Sequence, residues 1–299
     1  MQHPRRREVI VSEAQAASWI TDGMTIAIGG LLSSSHPMAL IRQIIRQGVK
    51  GLTVLAGSAG LELDLLIAAG CVDKVAVSLM TGEAVVAVGP MFRAAAQSGR
   101  LQVWEAEESI YAAGLQAAAL GLPFMPCRAG VGTSLPRINP DLKEFRDPIK
   151  GEPLLAVPAL RADVAILHAD RSDPYGNVQH EGTGFGDRAL FRAADKVIVQ
   201  VEKIVTNEEI RRRPEATSIP GADAVVRAPL GAHPGSCPGR YLEDLAHMKE
   251  YADAAKEAGG KGNDGKLASY LERYVLGITN HLEYLDVIGA GRLLSLQEF

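Results

Sequence analysis

Short apolar runs alternate with amphipathic stretches along most of the 299-residue chain. Apolar runs of strand length predict β-strands at residues 24–28, 52–56, 75–79, 101–104, 154–157, 164–168 and 197–201. Helical periodicity between them predicts helices at residues 38–47, 61–69, 90–97 and 109–120. Alternating strands and helices are typical of βαβ units, and continuous apolar runs are typical of strands buried in a parallel sheet. The pattern therefore predicts an α/β protein with an open, mainly parallel sheet flanked by helices.

The last part of the chain has a helical pattern from Tyr241 onward. The glycine-rich residues 259–265 predict a flexible turn between two surface helices. No linker-like run of Gly, Ser and Pro and no block of charge divides the sequence. We therefore expect one domain over residues 1–299, in which residues 240–299 form a mainly helical C-terminal extension.

Composition narrows the range of partners. The formal net charge is −4 and the sequence pI is about 6.0, so the basic footprint of a nucleic-acid binder is absent. The sequence shows neither a membrane-spanning run nor a signal-type apolar core after its basic start, which predicts a cytoplasmic protein without a membrane partner. Cys71, Cys127 and Cys237 are widely spaced, and the seven histidines form no HExxH motif. We expect neither a metal site nor a bound cofactor.

The most informative segment is residues 22–37, where a predicted strand leads through Gly29 and Gly30 into a small-residue loop. Pro37 then opens the next helix. Glycines let backbone N–H groups approach a ligand, and the helix dipole behind them favours an anion or a developing oxyanion. A Gly-Gly pair alone is weak support for such a site, because most such pairs are ordinary turns.

The longer pattern resembles the signature of the α subunit, or first half, of family I coenzyme A transferases. Asp22-Gly23, the aliphatic residues 26–28, Gly29-Gly30 and Pro37 fall in register with it. Leu31 stands where that family has Phe, and Ser35 stands where it has a third Gly. Further similarity is carried by residues 120–126, 170–177, 207–212 and 228–234, and the C-terminal half is most similar to the glutaconate type.

The resemblance implies a CoA-transferase/NagB-RpiA-like fold and an α subunit that works in a heteromer, α2β2 or larger. It implies transfer of CoA between an acyl-CoA, with a dicarboxylic acyl group, and a carboxylic acid; the CoA thioester is substrate. In that family the nucleophile is a Glu in a Ser-Glu-Asn-Gly-like motif of the β subunit, and this chain has no such motif. Gly29 and Gly30 would form the oxyanion and acyl loop, with Leu31, Ser33, Ser34 and Ser35 as substrate-binding residues.

Two further candidates come from other loops. Gly57 and Ser58 follow a predicted strand, and an ordinary βα turn explains them when they are considered alone. Because loops at the carboxyl edge of a parallel sheet lie together, we expect them to form a wall of the acyl pocket. Arg128 is a candidate to pair with a substrate carboxylate, although a surface salt bridge is the simpler explanation.

Glu108 lies in an acidic stretch, residues 105–109, that precedes a predicted helix. Acids in a first helical turn are favoured by the helix dipole without any catalytic role. However, the segment also resembles the α subunit of a steroid-ring-opening acyl-CoA hydrolase, where a Glu in a similar context is catalytic. Three functions therefore stay open: a CoA-transferase subunit, an acyl-CoA hydrolase or ring-opening enzyme that uses Glu108, and a non-catalytic ligand-binding or assembly subunit.

Overall fold

The computed structural model describes residues 7–259 and 265–297. The strands are β1 Thr25–Ile28, β2 Leu52–Ala59, β3 Val72–Met80, β4 Gln102–Glu105, β5 Phe124–Cys127, β6 Lys143–Arg146, β7 Pro153–Pro158, β8 Ala162–Ser172, β9 Asn177–Gln179, β10 Ala194–Ile204, β11 Thr217–Pro220 and β12 Ala224–Arg227. The helices are α1 Glu13–Ala17, α2 Met38–Arg46, α3 Leu61–Ala68, α4 Pro90–Gln97, α5 Glu108–Ala119, α6 Leu135–Ile138, α7 Asp187–Ala193, α8 Asn207–Arg211, α9 Leu245–Ala258, α10 Lys266–Leu271, α11 His281–Ile288 and α12 Ala290–Ser295. A 3-10 turn lies at Pro214–Ala216, and a π-helical turn, Glu272–Leu276, continues α10.

Seven strands of the main sheet run parallel, in the order β4-β3-β2-β1-β8-β10-β12. Strands β9 and β11 extend the sheet in antiparallel pairing. Strand β1 lies in the centre; the chain adds β2, β3 and β4 on one side of it and β8, β10 and β12 on the other. Because the connections run in opposite directions on the two sides, the connecting helices cover both faces of the sheet. The predicted open, mainly parallel α/β sheet is confirmed.

The two faces of the sheet bury separate apolar clusters. On β1, Ile26 and Ile28 pack into the cluster that contains α2, α3 and the C-terminal helices, while Ala27 between them packs into the cluster with α5 and α7. Successive side chains of a strand point to opposite faces, so a strand covered on both sides is apolar throughout. This explains why uninterrupted apolar runs mark the strands of the main sheet.

The strand predicted at residues 154–157 is present, but its predicted parallel pairing is wrong. Strand β7 pairs antiparallel with both β5 and β6 in a separate three-stranded sheet. Only alternate residues of β7, Leu155 and Val157, are fully buried. A short apolar run indicates burial and not strand direction, which is why the sequence does not separate the two cases.

The C-terminal region is helical, as predicted, and packs its helices against α2 and α4. Helix α9 ends at Gly259, which has a left-handed φ of 54°. The turn predicted at residues 259–265 falls largely on residues 260–264, outside the described part of the chain. Within residues 7–259 and 265–297, no helix has the length and apolarity needed to cross a bilayer.

A buried carboxylate connects three of these helices. Asp64 of α3 accepts hydrogen bonds from the backbone N–H groups of Met91 and Phe92 in α4, at 3.3 and 2.7 Å. The hydroxyl of Tyr251 in α9 donates to the same carboxylate at 2.8 Å. Burial raises the pKa of Asp64 from 3.8 to about 6, despite these three donors.

Tyr251→Phe is expected to lower the free energy of unfolding by about 1–3 kcal/mol, because it leaves a buried carboxylate short of one donor. The native pKa of Asp64 is raised, so its ionised form is the costly one, and the loss should grow as the pH rises through about 6. Urea unfolding on either side of that pH measures both effects. Leu294→Ala, at an exposed position of α12, is the control and should change little. A loss that shrinks with rising pH would contradict this assignment.

Candidate active site

A cavity of about 180 Å³ lies at the carboxyl edge of the parallel sheet, between the ends of β1 and β2 and the start of α5. Its lining includes five of the predicted site residues, Gly30, Leu31, Gly57, Ser58 and Glu108. The remaining wall is largely apolar, with Ile28, Ala112, Leu115, Ala189 and Leu190. Gly57 and Ser58 belong to β2 itself, which continues to Ala59, so the turn predicted for them is wrong. Their functional role, like those of the other three, stays a prediction.

Gly29 and Gly30 both use their backbone N–H groups within the chain. The N–H of Gly29 donates to the carbonyl of Ile166 at 2.9 Å, in the ladder between β1 and β8. The N–H of Gly30 donates to Oδ1 of Asp187 at 3.2 Å. Gly30 has a φ of +94°, and a Cβ there would lie 2.6 Å from the carbonyl oxygen of Ser34. An oxyanion role for either amide would require it to exchange its present acceptor for substrate.

Asp187, at the start of α7, links this loop to a histidine. Its Oδ2 lies 3.3 Å from Nε2 of His180, whose Nδ1 lies 2.7 Å from the hydroxyl of Ser218. Burial lowers the pKa of His180, but the hydrogen bond and charge of Asp187 outweigh it and raise the pKa above its usual value. Neither residue is assigned a role from sequence patterns. The sequence signal available for Asp187 is an acidic residue at the edge of the predicted site. Such residues are too common for this signal to identify it as a site residue.

A second buried acid fixes the other side of the loop. Glu62 accepts from the N–H of Gly60 with both oxygens, at 2.9 and 3.0 Å, and lies 3.3 Å from Nε2 of His36. The Nδ1 of His36 lies 2.8 Å from the carbonyl of Gly29. Burial raises the pKa of Glu62, while the charge of His36 opposes that shift. A Cβ on Gly60 would lie 1.8 Å from the carbonyl oxygen of Leu32, so only glycine allows this approach.

The three predicted serines lie outside the lining of the 180 Å³ cavity. The hydroxyl of Ser33 donates to Glu83, and that of Ser34 lies 2.5 Å from the hydroxyl of Ser236. Ser35 is buried and donates its backbone N–H to the carbonyl of Ser236 at 2.8 Å. These bonds attach the loop to neighbouring segments, and a substrate-binding role for the serines stays a prediction.

The structure separates two neighbouring acids at the start of α5. Glu107 is the N-cap, and its carboxylate accepts from the N–H of Ile110 at 2.7 Å. The side chain of Glu108 is exposed and forms no hydrogen bond or ion pair with any described residue. It also borders a wider groove of about 770 Å³ on the adjoining surface. Glu107 therefore caps the helix. Glu108 lies in the first turn of α5, where the helix dipole favours an acid, and its carboxylate is free to act on a ligand.

Arg128 is paired at the surface with Glu152, and its side chain is 75% exposed. It borders neither of the two spaces that Glu108 lines. A surface pair of this kind contributes little to stability. The geometry matches the salt-bridge alternative, and pairing with a substrate carboxylate stays a prediction.

One buried cluster within the described residues, His168, Glu202 and Cys237, has the donor types of a metal site. However, Gln200 accepts from the N–H of Leu40 with its carbonyl oxygen, so its amide nitrogen must donate to Nδ1 of His168, at 2.8 Å. The proton of neutral His168 is then on Nε2, which faces Glu202 at 3.1 Å. A metal ligand needs that nitrogen deprotonated, so this donor set does not fit a metal centre.

The comparison with known families agrees with this geometry. Residues 10–228 match the family model described as Coenzyme A transferase. The chain belongs to the coenzyme A transferase family. The predicted family membership and the predicted enzyme class are confirmed at this level.

Three relatives and one solved structure are similar to the chain over most of its length. A protein of Archaeoglobus fulgidus is 39% identical over 95% of this chain, which spans 63% of that protein's length. A glutaconate CoA-transferase subunit of Acidaminococcus fermentans is 34% identical, covering 97% of this chain and 94% of that one. The crystal structure of that enzyme matches with a TM-score of 0.90 over 97% of this chain and 96% of its own chain. The cholesterol ring-cleaving hydrolase IpdA subunit of Mycobacterium tuberculosis is 36% identical over 80% of this chain and 86% of its own.

His180→Gln tests the contact with Asp187 through its pH dependence. The native pKa of His180 is raised above 6.5, so the stability it adds is fully present below that value and is lost as the pH rises through the native pKa. The gap in thermal midpoint between wild type and variant should therefore be largest near about pH 6 and smaller near about pH 9.

His247→Gln is the matched control for that series. Burial lowers the pKa of His247 to about 3 in the folded protein, whereas the unfolded chain still binds a proton below about 6.5, so its gap should grow slightly as the pH rises from about 6, opposite in sign to that of His180→Gln. If the His180→Gln gap widened with rising pH, the ion pair with Asp187 would be rejected.

Proposed function

We propose that this chain is the α subunit of a heteromeric CoA-transferase that moves CoA between an acyl-CoA and a carboxylic acid. The observation that carries the proposal is the small, largely apolar cavity at the sheet edge, bordered by the unpaired carboxylate of Glu108. Its volume of about 180 Å³ suits a short acyl group and not the whole of CoA. We place the enzyme in the cytoplasm, as an α2β2 or larger assembly.

The nucleophile in this proposal is a glutamate of the β subunit. Its carboxylate attacks the thioester carbonyl and expels CoA thiolate, which leaves an acyl-glutamyl anhydride. The thiolate then attacks the glutamyl carbonyl, forming a glutamyl-CoA thioester and releasing the first carboxylate; the acceptor acid reverses these two steps. Splitting one exchange into such steps lowers each barrier. The absence of a Ser-Glu-Asn-Gly-like motif in this sequence supports placing the nucleophile on the partner.

A dicarboxylic acyl group is supported by the similarity to the glutaconate CoA-transferase of Acidaminococcus fermentans. The described residues that line the cavity include neither lysine nor arginine, and its one carboxylate, Glu108, would repel a second substrate carboxylate. A cation for that second carboxylate would therefore come from the partner chain.

Hydrolysis of the acyl-CoA is the second candidate function, favoured by the state of Glu108. Its carboxylate has no partner among the described residues and faces both the cavity and the open groove, where water has access. A carboxylate so placed can accept a proton from water or attack directly. The similarity to the ring-cleaving hydrolase IpdA subunit supports the same alternative.

The isolated chain is expected to show no CoA transfer, because the nucleophile belongs to the partner. The chain purified alone and as a complex with its β subunit should be assayed for exchange between glutaconyl-CoA and acetate. Activity should require the complex. Full activity from the chain alone would reject its assignment to a heteromer.

Glu108→Gln in the complex distinguishes the two enzymatic functions. A transferase uses the glutamate of the partner, so the variant should keep much of its exchange activity. A hydrolase would lose about 100-fold or more in kcat, since an amide neither accepts a proton nor attacks. Glu105→Gln, a neighbouring exposed acid outside both cavity linings, is the control.

Acceptor dependence gives an independent measurement. A transferase consumes acyl-CoA only when a carboxylate acceptor is present, whereas a hydrolase releases free CoA without one. Rapid CoA release without acceptor, abolished by Glu108→Gln, would replace the transferase proposal with the hydrolase. If the complex catalyses neither reaction and Glu108→Gln has no effect on it, the result would favour a non-catalytic subunit.

A further inference from the structure

The hydroxyl of Tyr111 is buried without a hydrogen-bond partner among the described residues. Tyr111 lies on α5, one turn after Glu108, and both residues line the 180 Å³ cavity. Its ring packs against the backbone of β2, where a Cβ on Gly57 would lie 3.0 Å from Cε1. The glycine at position 57 therefore makes room for this ring beside the cavity.

Other buried tyrosines of the chain have partners for their hydroxyls. These contacts are Tyr241 to Glu202 at 2.7 Å, Tyr251 to Asp64 at 2.8 Å, Tyr270 to His247 at 2.8 Å and Tyr284 to His233 at 2.7 Å. A buried polar group without a partner is costly, and phenylalanine would fill the same space without that cost. The unpaired hydroxyl of Tyr111 therefore needs an explanation that the fold alone does not supply.

We propose that the hydroxyl of Tyr111 donates a hydrogen bond to the carbonyl oxygen of the acyl group bound in this cavity. A carbonyl oxygen only accepts, so the tyrosine must donate. Burial raises the pKa of Tyr111, which keeps the proton on the hydroxyl. The N–H groups of Gly29 and Gly30 already have acceptors, so a side-chain donor on a residue that lines the same cavity would supply what the loop amides do not. This inference rests on the proposed function in so far as the cavity takes an acyl group.

The test is Tyr111→Phe in the complex with the β subunit, measured with two ligands that differ in one oxygen. Butyryl-CoA has the thioester carbonyl, and S-butyl-CoA is the thioether that lacks it. The variant should bind butyryl-CoA about 10-fold more weakly and S-butyl-CoA equally well. Exchange activity, as kcat/KM, should fall about 10- to 100-fold, because the hydrogen bond strengthens as negative charge develops on the oxygen.

The thermal midpoint of the complex gives a second measurement, because a structural role for the Tyr111 hydroxyl predicts the opposite change. Since the hydroxyl has no partner to lose, Tyr111→Phe should keep or raise the thermal midpoint of the complex. Tyr251→Phe is the matched control: it also removes one buried hydroxyl, but one bonded to Asp64 in another part of the fold. It should lower the midpoint and leave the ratio of the two ligand affinities unchanged.

Three outcomes would overturn the inference. Equal weakening for both ligands, or no weakening, would show that the hydroxyl contacts water or another part of the ligand. A lower midpoint with unchanged binding would show a structural bond. Failure of the wild-type complex to bind either butyryl-CoA or glutaconyl-CoA would overturn both proposals. Normal discrimination between the ligands by a complex without exchange activity would instead retain the role of Tyr111 and reject the transferase alone.

Discussion

The candidate site depends on the contact between the carboxylate of Asp187 and the glycine loop after β1. One oxygen accepts the N–H of Gly30, the other faces His180, and a Cβ on Gly29 would lie 2.5 Å from the first. The first glycine thus allows the acid to approach, and the second supplies the donor. Because a buried charge is stable only when it is paired and hydrogen-bonded, the loop, α7 and His180 are fixed relative to one another.

The central strands β1, β2, β3, β8 and β10 of the main sheet could be predicted from the sequence because they are buried on both faces, and such burial requires a continuous apolar run. Strands β9, β11 and β12 were not predicted. Local signals also predicted the observed ends of α4, where Pro90 sets the first turn. They failed for the three-stranded sheet, since β5 contains Pro126 and β6 consists mostly of charged residues. Their strand structure comes from pairing with β7, which local composition does not record.

Part of the candidate cavity could be anticipated from the sequence. Gly30, Leu31, Gly57 and Ser58 line it, as expected for residues near the carboxyl ends of neighbouring parallel strands, whereas Glu108 was singled out by the family resemblance. Asp187 lies 157 residues from the glycine it binds, and nothing in its local sequence indicates that contact. Tyr111 was hidden for another reason: at a helical position, a core tyrosine and a ligand-facing one look alike.

The hydrogen bonds of this chain indicate which steps of the proposed reaction it would perform and which would fall to its partner. The N–H groups of Gly29 and Gly30 donate to the sheet and to Asp187, and the loop serines and His36 form further hydrogen bonds that hold the loop. These groups therefore form a rigid wall. Two groups beside the cavity that have no partner among the described residues are a carboxylate, Glu108, and a hydroxyl, Tyr111. In the proposed transferase, both would orient a carbonyl or a water while the partner's glutamate attacks. In the proposed transferase, such a wall would position an acyl group for attack by a residue from another chain, which would enter from the exposed edge at Glu108.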